Sequence, residues 1–435
     1  MSYRGKEDSM EEKRRKRRDF IQNVSIALLS VTAVLLFAQT QLYLLGTHVG
    51  SSYLGLLSGS SSQTDTVIPG QQSTLTAPVR IAVTGTYGRY GNVALTTADD
   101  AFRPLAGLLR EVLGSARTPK VCAEGEFLDA LSGASVYYDF LSPLPLSVIA
   151  GFVGASWSGE LSARRLAVSV QETGVSLYLL DDGGNCFSCA TAVPVSDLAD
   201  VIGGYELGND SFAFERAETN DSYLDIAPCS LLLKNPPGLP VLSVGNSLSN
   251  SDWLLSALGF NPNTKFRNTD SSGTEVIAEG DAVLRIRTDS SISYKSGGEK
   301  LLSIDAAGDI PTLEEAATEC GLLLNSILSS AGGNATLYLE DIQQSGSSTL
   351  LRFAYQVGGV PVQIPGGAAA EITLSGTTVS ALSLRLRQYT GSSDTSPLLP
   401  QRQAVAIAAR QQGAELTIGY ADNGGSSVSA NWLAD

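Results

Sequence analysis

Residues 20–45, FIQNVSIALLSVTAVLLFAQTQLYLL, hold no charged side chain and come one residue, Asp19, after six consecutive bases at residues 13–18. About 20 helical residues cross a hydrocarbon core, and the stretch from Val24 to Ala38 is nearly all apolar. The pattern predicts a single N-terminal transmembrane helix. Lys and Arg collect on the cytoplasmic flank of such helices. Residues 1–19 carry eight Lys or Arg against five Asp or Glu, and no Lys or Arg occurs between Phe20 and Arg80. The expected topology is single-pass in the cell membrane, with the N-terminus cytoplasmic and the bulk of the chain extracytoplasmic. A cleaved signal peptide is the rival. Leu36 and Ala38 give a small-residue pattern, but the apolar run continues past it, which favours an uncleaved anchor.

That topology makes sense of the charge balance. The chain carries −15 at neutral pH, and the tail's +3 leaves −18 beyond residue 19. Such a surface repels nucleic acid and anionic headgroups, so no nucleic-acid partner is expected. The basic tail instead suits an anionic inner leaflet. Residues 46–79 are rich in Gly, Ser, Thr and Gln and read as a flexible tether.

Beyond the tether, short strands and a few helices alternate irregularly, without the strict strand–helix order of a doubly wound sheet. The class expected is α+β, an elongated ectodomain of antiparallel sheets with packed helices. The boundaries expected are a basic tail at 1–19, the anchor at 20–45, the tether at 46–79, an α+β domain at 80–230, a β-rich domain at 231–310 and a helix-plus-antiparallel-sheet domain at 311–435. Residues 97–114 read as a helix with Phe102, Leu105, Leu109, Val112 and Leu113 on one stripe. Strands are expected at 166–170, 175–180, 187–193, 241–244, 274–278, 282–287 and 291–295, and a short helix at 252–258. Pro311 and Thr312 open a helix that Gly332 and Gly333 stop. Behind it Leu351, Phe353, Tyr355 and Val357 share one strand face, and Leu382, Leu384 and Leu386 oppose Arg385 and Arg387. This is a helix laid over an antiparallel meander, and residues 400–412 begin the pattern again.

Residues 80–92, RIAVTGTYGRYGN, offer a strand and glycines as a dinucleotide loop would. Thr84, Gly85, Gly88 and Gly91 match that motif only in part. No acid closes a second strand at a suitable distance, and no phosphate-loop Lys follows, so the reading is a β-turn. The one histidine, His48, lies in the tether, which argues against Ser-His-Asp, Cys-His and His-zinc chemistry. Cys186 and Cys189 form a Cys-x-x-Cys, but its surroundings alternate like a hairpin, and residues three apart on a strand face opposite ways. With Cys122, Cys229 and Cys320 they make five, leaving room for one or two disulfides and one thiol over. Asp99 with Asp100, Asp181 with Asp182 and Glu314 with Glu315 are adjacent acids. Thr97 with Asp100 and Thr312 with Glu315 fit capping boxes. Asn209, Asn220 and Asn334 open glycosylation sequons. No catalytic residue, cofactor or metal is expected.

Residues 257–296, ALGFNPNTKFRNTDSSGTEVIAEGDAVLRIRTDSSISYKS, resemble the central motif of YycH-type proteins: an Asn-Pro-Asn-Thr step, a strand, an acidic-Gly turn and a strand ending in an aromatic. LRFAYQVGGVPVQI is similar to that family's Phe-x-Tyr-x-x-x-Gly-x-Pro-Val segment, and ANWLAD to its closing Trp strand. The basic N-terminus and single span fit as well, whereas the long tether and the cysteines depart from the pattern.

The resemblance implies a membrane-anchored, non-enzymatic regulator of a two-component sensor histidine kinase that controls cell-wall metabolism in Gram-positive bacteria. It implies as partners the kinase and a YycI-like protein, with C-terminal units of YycI-like helix and meander. Ser25, Ala27, Ser30, Thr32 and Ala33 are small or polar residues in the span that permit close approach of a kinase span, and they are the candidate partner-binding residues. The alternative is a tethered cell-wall or glycan binding module without a signalling role.

Overall fold

The computed structural model describes residues 75–172, 174–217, 221–245, 248, 251–298, 302–329 and 331–434. All belong to the unit Gly70–Asp435. The span at 20–45, with Ser25, Ala27, Ser30, Thr32 and Ala33, and His48 lie outside the described residues. Among the described residues no helix is long and apolar enough to cross a membrane.

The chain enters on β1 (Pro78–Gly85) and turns back as β2 (Gly88–Thr96). The glycine-rich run is therefore the turn of a hairpin, with Gly85 opposite Gly88. Then come α1 (Arg103–Ser115), β3 (Lys120–Cys122), α2 (Glu124–Ser132), β4 (Ser135–Pro145) and α3 (Leu146–Phe152). They are followed by β5 (Ser162–Gln171), β6 (Gly174–Leu180), β7 (Cys186–Ala190) and α4 (Val195–Gly203). The seven strands form one sheet in the order β2-β1-β4-β5-β6-β7-β3, antiparallel at every step. The α1 stripe is buried as expected at Phe102, Leu105, Leu109, Val112 and Leu113, with Leu108 joining it. The helix starts six residues later than the pattern suggested, because Pro104 occupies its first turn, where a missing N–H costs nothing.

A small hairpin follows, β8 (Ser211–Phe212) and β9 (Leu231–Leu232), with the turn α5 (Ala213–Arg216) between. Then come β10 (Pro240–Gly245), α6 (Asp252–Ala257), β11 (Arg267–Thr269), β12 (Glu275–Glu279), β13 (Ala282–Ile286) and β14 (Ser291–Lys295). The long helix α7 (Leu313–Ser329) leads to β15 (Thr336–Ser345), β16 (Ser348–Val357), β17 (Val360–Gln363), β18 (Ala370–Ser375), β19 (Thr378–Arg385) and β20 (Gln388–Thr395). The chain closes with α8 (Gln401–Ala408), β21 (Leu416–Ala421), β22 (Ser427–Val428) and β23 (Ala430–Ala434).

The second large sheet runs β11-β12-β13-β14-β19-β18-β16-β17-β21-β23, with β15 on the other side of β16. Only the β17–β21 step is parallel among its described pairings. The fold is thus α+β with mostly antiparallel sheets. β16 shows the period of two that specifies a strand with one buried face: Leu351, Phe353 and Tyr355 are fully buried while Leu350, Arg352 and Ala354 are half-exposed. Leu382, Leu384 and Leu386 are buried as expected, and Arg385 between them is exposed. The second C-terminal helix, expected over residues 400–412, is only the eight residues of α8.

Helix α7 buries Ala317, Cys320, Leu324, Ile327 and Leu328. Asn325 pins it to β15, its amide donating to the Leu337 carbonyl at 3.1 Å and its oxygen accepting the Leu337 N–H at 2.8 Å. The capping box forms. The Glu315 N–H donates to Thr312 Oγ1 at 3.2 Å, and the Thr312 N–H donates to the Glu315 carboxylate at 2.8 Å. Thr312→Ala should cost about 1 kcal/mol in denaturant unfolding, the usual value of such a cap. The other box, Thr97 with Asp100, does not form. Thr97 Oγ1 accepts from Ala77, Asp99 accepts from Thr96, and Asp100 pairs with exposed Arg103, because a 3-10 turn shifts the helix start past both residues.

Candidate functional site

The two large sheets meet where β15 packs on β4, and here charged side chains are buried. Asp139 on β4 is 2% exposed. Its Oδ1 accepts from Arg164 Nε at 2.8 Å and from the Leu141 N–H at 2.8 Å; its Oδ2 accepts from Arg80 at 3.4 Å and Arg164 at 3.2 Å. Glu415, one residue before β21, binds Arg80 at 3.2 Å and Arg164 at 2.6 Å through Oε1, and Arg165 at 2.7 Å through Oε2. Asp182 closes the outer edge, 3.3 Å from both Arg164 and Arg165.

Neighbouring residues on a regular strand face opposite ways, yet Arg164 and Arg165 both reach Glu415. The cause is an irregularity in β4. Pairing with β5 passes from Asp139 opposite Arg165 directly to Leu144 opposite Ala163, so Arg164 has no cross-strand partner and can turn inward. Within that bulge Leu141 has φ +69°, a conformation that β-carbon sterics disfavour. The carboxylate of Asp139 holds it there through the Leu141 N–H.

Burial alone would raise the Asp139 pKa, but Arg164, Arg80 and Arg165 hold it well below the usual carboxylate range. Arg164 and Arg165 are correspondingly raised, despite burial, by these acids and, for Arg165, by Tyr137. Beside the network opens a cleft of about 410 Å³, lined by Arg80, Arg164, Glu415, Leu141, Tyr338 and Glu340 among others. Burial, then repulsion from Asp341, raises the carboxyl of Glu340. The Tyr338 hydroxyl is also raised, chiefly by burial. The site is a set of fixed, mutually neutralised charges. That suits recognition of a polar group or transmission of a shift between sheets.

Other sequence candidates separate in space. Asp181 accepts from the Asn185 N–H in the β6–β7 turn while Asp182 joins the seam, and Glu315 caps α7. Cys186 is bonded to Cys122, its neighbour across β3 and β7, and not to Cys189. Cys189 is buried, and burial pushes its thiol up to about 11, so it stays protonated and inert. Cys229 is pushed up to about 12, first by burial.

The glycine run serves packing. The Arg89 N–H donates to the Gly208 carbonyl at 3.0 Å and the Gly208 N–H donates back at 2.9 Å. The Arg89 side chain binds Thr84, Leu131 and Glu215 and lies 4.4 Å over the Phe212 ring. Arg80, Asp139, Arg164, Arg165 and Glu415 were not singled out from the sequence. Two adjacent arginines inside the apolar strand SARRLAVSV were the available signal.

No protein-family description, curated protein or solved structure matches the chain.

Proposed function

We propose that the chain is a membrane-anchored extracytoplasmic regulator of a two-component sensor histidine kinase that controls cell-wall metabolism. It acts by protein–protein contact through its span and an elongated ectodomain, alongside a YycI-like partner. The observation that carries this reading is the seam. Arg80, on the strand by which the chain enters the folded unit, is clamped to Glu415 at the start of a C-terminal strand, 335 positions away. Any partner that displaces the C-terminal strands thereby acts on the strand that continues toward the span, and such a two-state element can bias a kinase. The Cys122–Cys186 disulfide supports an oxidising, extracytoplasmic setting.

The experiment is co-purification. Replacing Ser25, Ser30 and Ala33 together by Leu fills the close-approach surface of the span while keeping it apolar. At least a tenfold loss of co-purified kinase is expected, with membrane insertion unchanged. Undiminished co-purification would dismiss the span contact.

A further inference from the structure

The cleft beside the seam has a lining that the ion network does not use. Its volume, about 410 Å³, falls among small-molecule sites, which run from roughly 300 to 1,000 Å³. Three hydroxyl-bearing residues line it: Ser142 in the β4 bulge, Tyr338 on β15 and Thr417 on β21. They are only 8%, 5% and 6% exposed, yet none of the three hydroxyls has a hydrogen-bond partner among the described residues. The Tyr338 hydroxyl is aimed into the cleft, where it feels Glu340, Arg80 and Arg164 of the same lining. Buried hydroxyls are ordinarily answered, so three convergent unanswered ones point to a ligand that supplies the bonds.

The local sequence makes this space. Tyr338 stands opposite Ala354 across β15 and β16, so a ring faces a methyl group and a gap opens beside it. Gly367, Ala368 and Ala369 form another part of the wall and add almost no side chain. On the facing sheet β4 bulges, and Leu141, with its φ of +69°, completes the wall. Residues held in such conformations gather at ligand clamps and switch regions. The charges of the lining limit what fits. Arg80 and Arg164 are already answered by Asp139 and Glu415, so an anion meets no spare positive charge. Glu340 sits at the exposed rim, where solvent screens it and a cation gains little.

We infer that this cleft binds a neutral saccharide. Sugar hydroxyls both donate and accept, as the three protein hydroxyls do, and Glu340 adds an acceptor at the rim. Leu141, Val362, Ile364 and Leu433 offer apolar wall to the C–H faces of a sugar ring. Ser142 belongs to the first sheet, Tyr338 and Thr417 to the second, so an occupant ties the sheets together and favours their closed arrangement. The inference deepens the regulator reading: the step from occupancy to signalling rests on that reading, whereas the binding itself does not.

The test uses the full chain in a polyoxyethylene detergent, which has no sugar headgroup. Saturation-transfer NMR titrations with N-acetylglucosamine, di-N-acetylchitobiose and maltose measure binding, with glucosamine and glucuronate as singly charged controls. At least one neutral sugar is expected to bind about tenfold more tightly than both controls and to raise the melting temperature. Tyr338→Phe and Ser142→Ala should each weaken binding about three- to tenfold, and the double variant by about tenfold or more, the usual worth of neutral hydrogen bonds. Neither hydroxyl bonds a described residue, so the sugar-free melting temperatures should match wild type, which separates a lost contact from a lost fold. Tyr87→Phe, at the exposed tip of the first hairpin, should leave the affinity unchanged. The inference is overturned if no neutral sugar binds, if either charged control binds equally well, or if the folded double variant keeps wild-type affinity. Absent sugar binding removes this inference alone, and undiminished co-purification of the span variant removes the span contact alone.

Discussion

Asp139→Asn should lower the unfolding free energy by about 3–5 kcal/mol, the usual cost of removing one member of a buried ion network. The side chain is 2% exposed and answers guanidiniums from two strands, so the substitution leaves Arg80 dependent on Glu415, and Arg164 on Glu415 and the more exposed Asp182. Urea unfolding of the full chain in detergent, followed by far-UV circular dichroism, measures it. The pH dependence has a definite sign. The folded pKa of Asp139 lies below its unfolded value of about 3.9, because Arg164, Arg80 and Arg165 outweigh burial. Its stabilisation is therefore complete above that value and is lost only as the pH falls through the lower folded one. Wild type and variant should stay apart from pH 7 down to about pH 4 and converge below it. A constant gap down to strong acid would contradict the charge assignment.

Gly88→Ala should cost about 2–5 kcal/mol. Its φ is +143°, where a β-carbon is disfavoured by about 1–2 kcal/mol, and that carbon would strike the carbonyl oxygen of Gly208, adding about 1–3 kcal/mol of overpacking. The oxygen cannot retreat, because it accepts the Arg89 N–H. Gly107→Ala in α1 is the matched control. Nothing lies within 4 Å of its added carbon, and the helix should gain up to about 1 kcal/mol. Thermal melts of the two variants should move in opposite directions. A neutral Gly88→Ala would mean that the hairpin does not dock on Gly208.

The same hairpin shows what the sequence could and could not convey. Thr84, Gly85, Gly88 and Gly91 were recognisable as a turn because a nucleotide loop lacked its further residues, yet nothing local named Gly208 as the docking partner. The C-terminal sheet was legible because β16 alternates with one buried face and α7 carries a complete capping box. The helix α2 was missed because half its box is absent. Glu126 accepts from the Ala123 N–H at 3.0 Å, but Ala123 has no hydroxyl to answer. Thr97 and Asp100 failed in the opposite way, with the right letters displaced by a 3-10 turn. The seam stayed hidden for a physical reason. Its members come from β1, β4, β5 and the approach to β21, and only tertiary packing brings Arg80 to Glu415. Short-range periodicity carries strand and helix faces, whereas a charge network spanning 335 positions has no local signature.

The most direct measurement is photo-crosslinking in living cells from an amino acid placed at Ser30, within the span. The account predicts an adduct with a membrane-embedded sensor histidine kinase. A chain that inserts normally beside the kinase and gives no such adduct would contradict it.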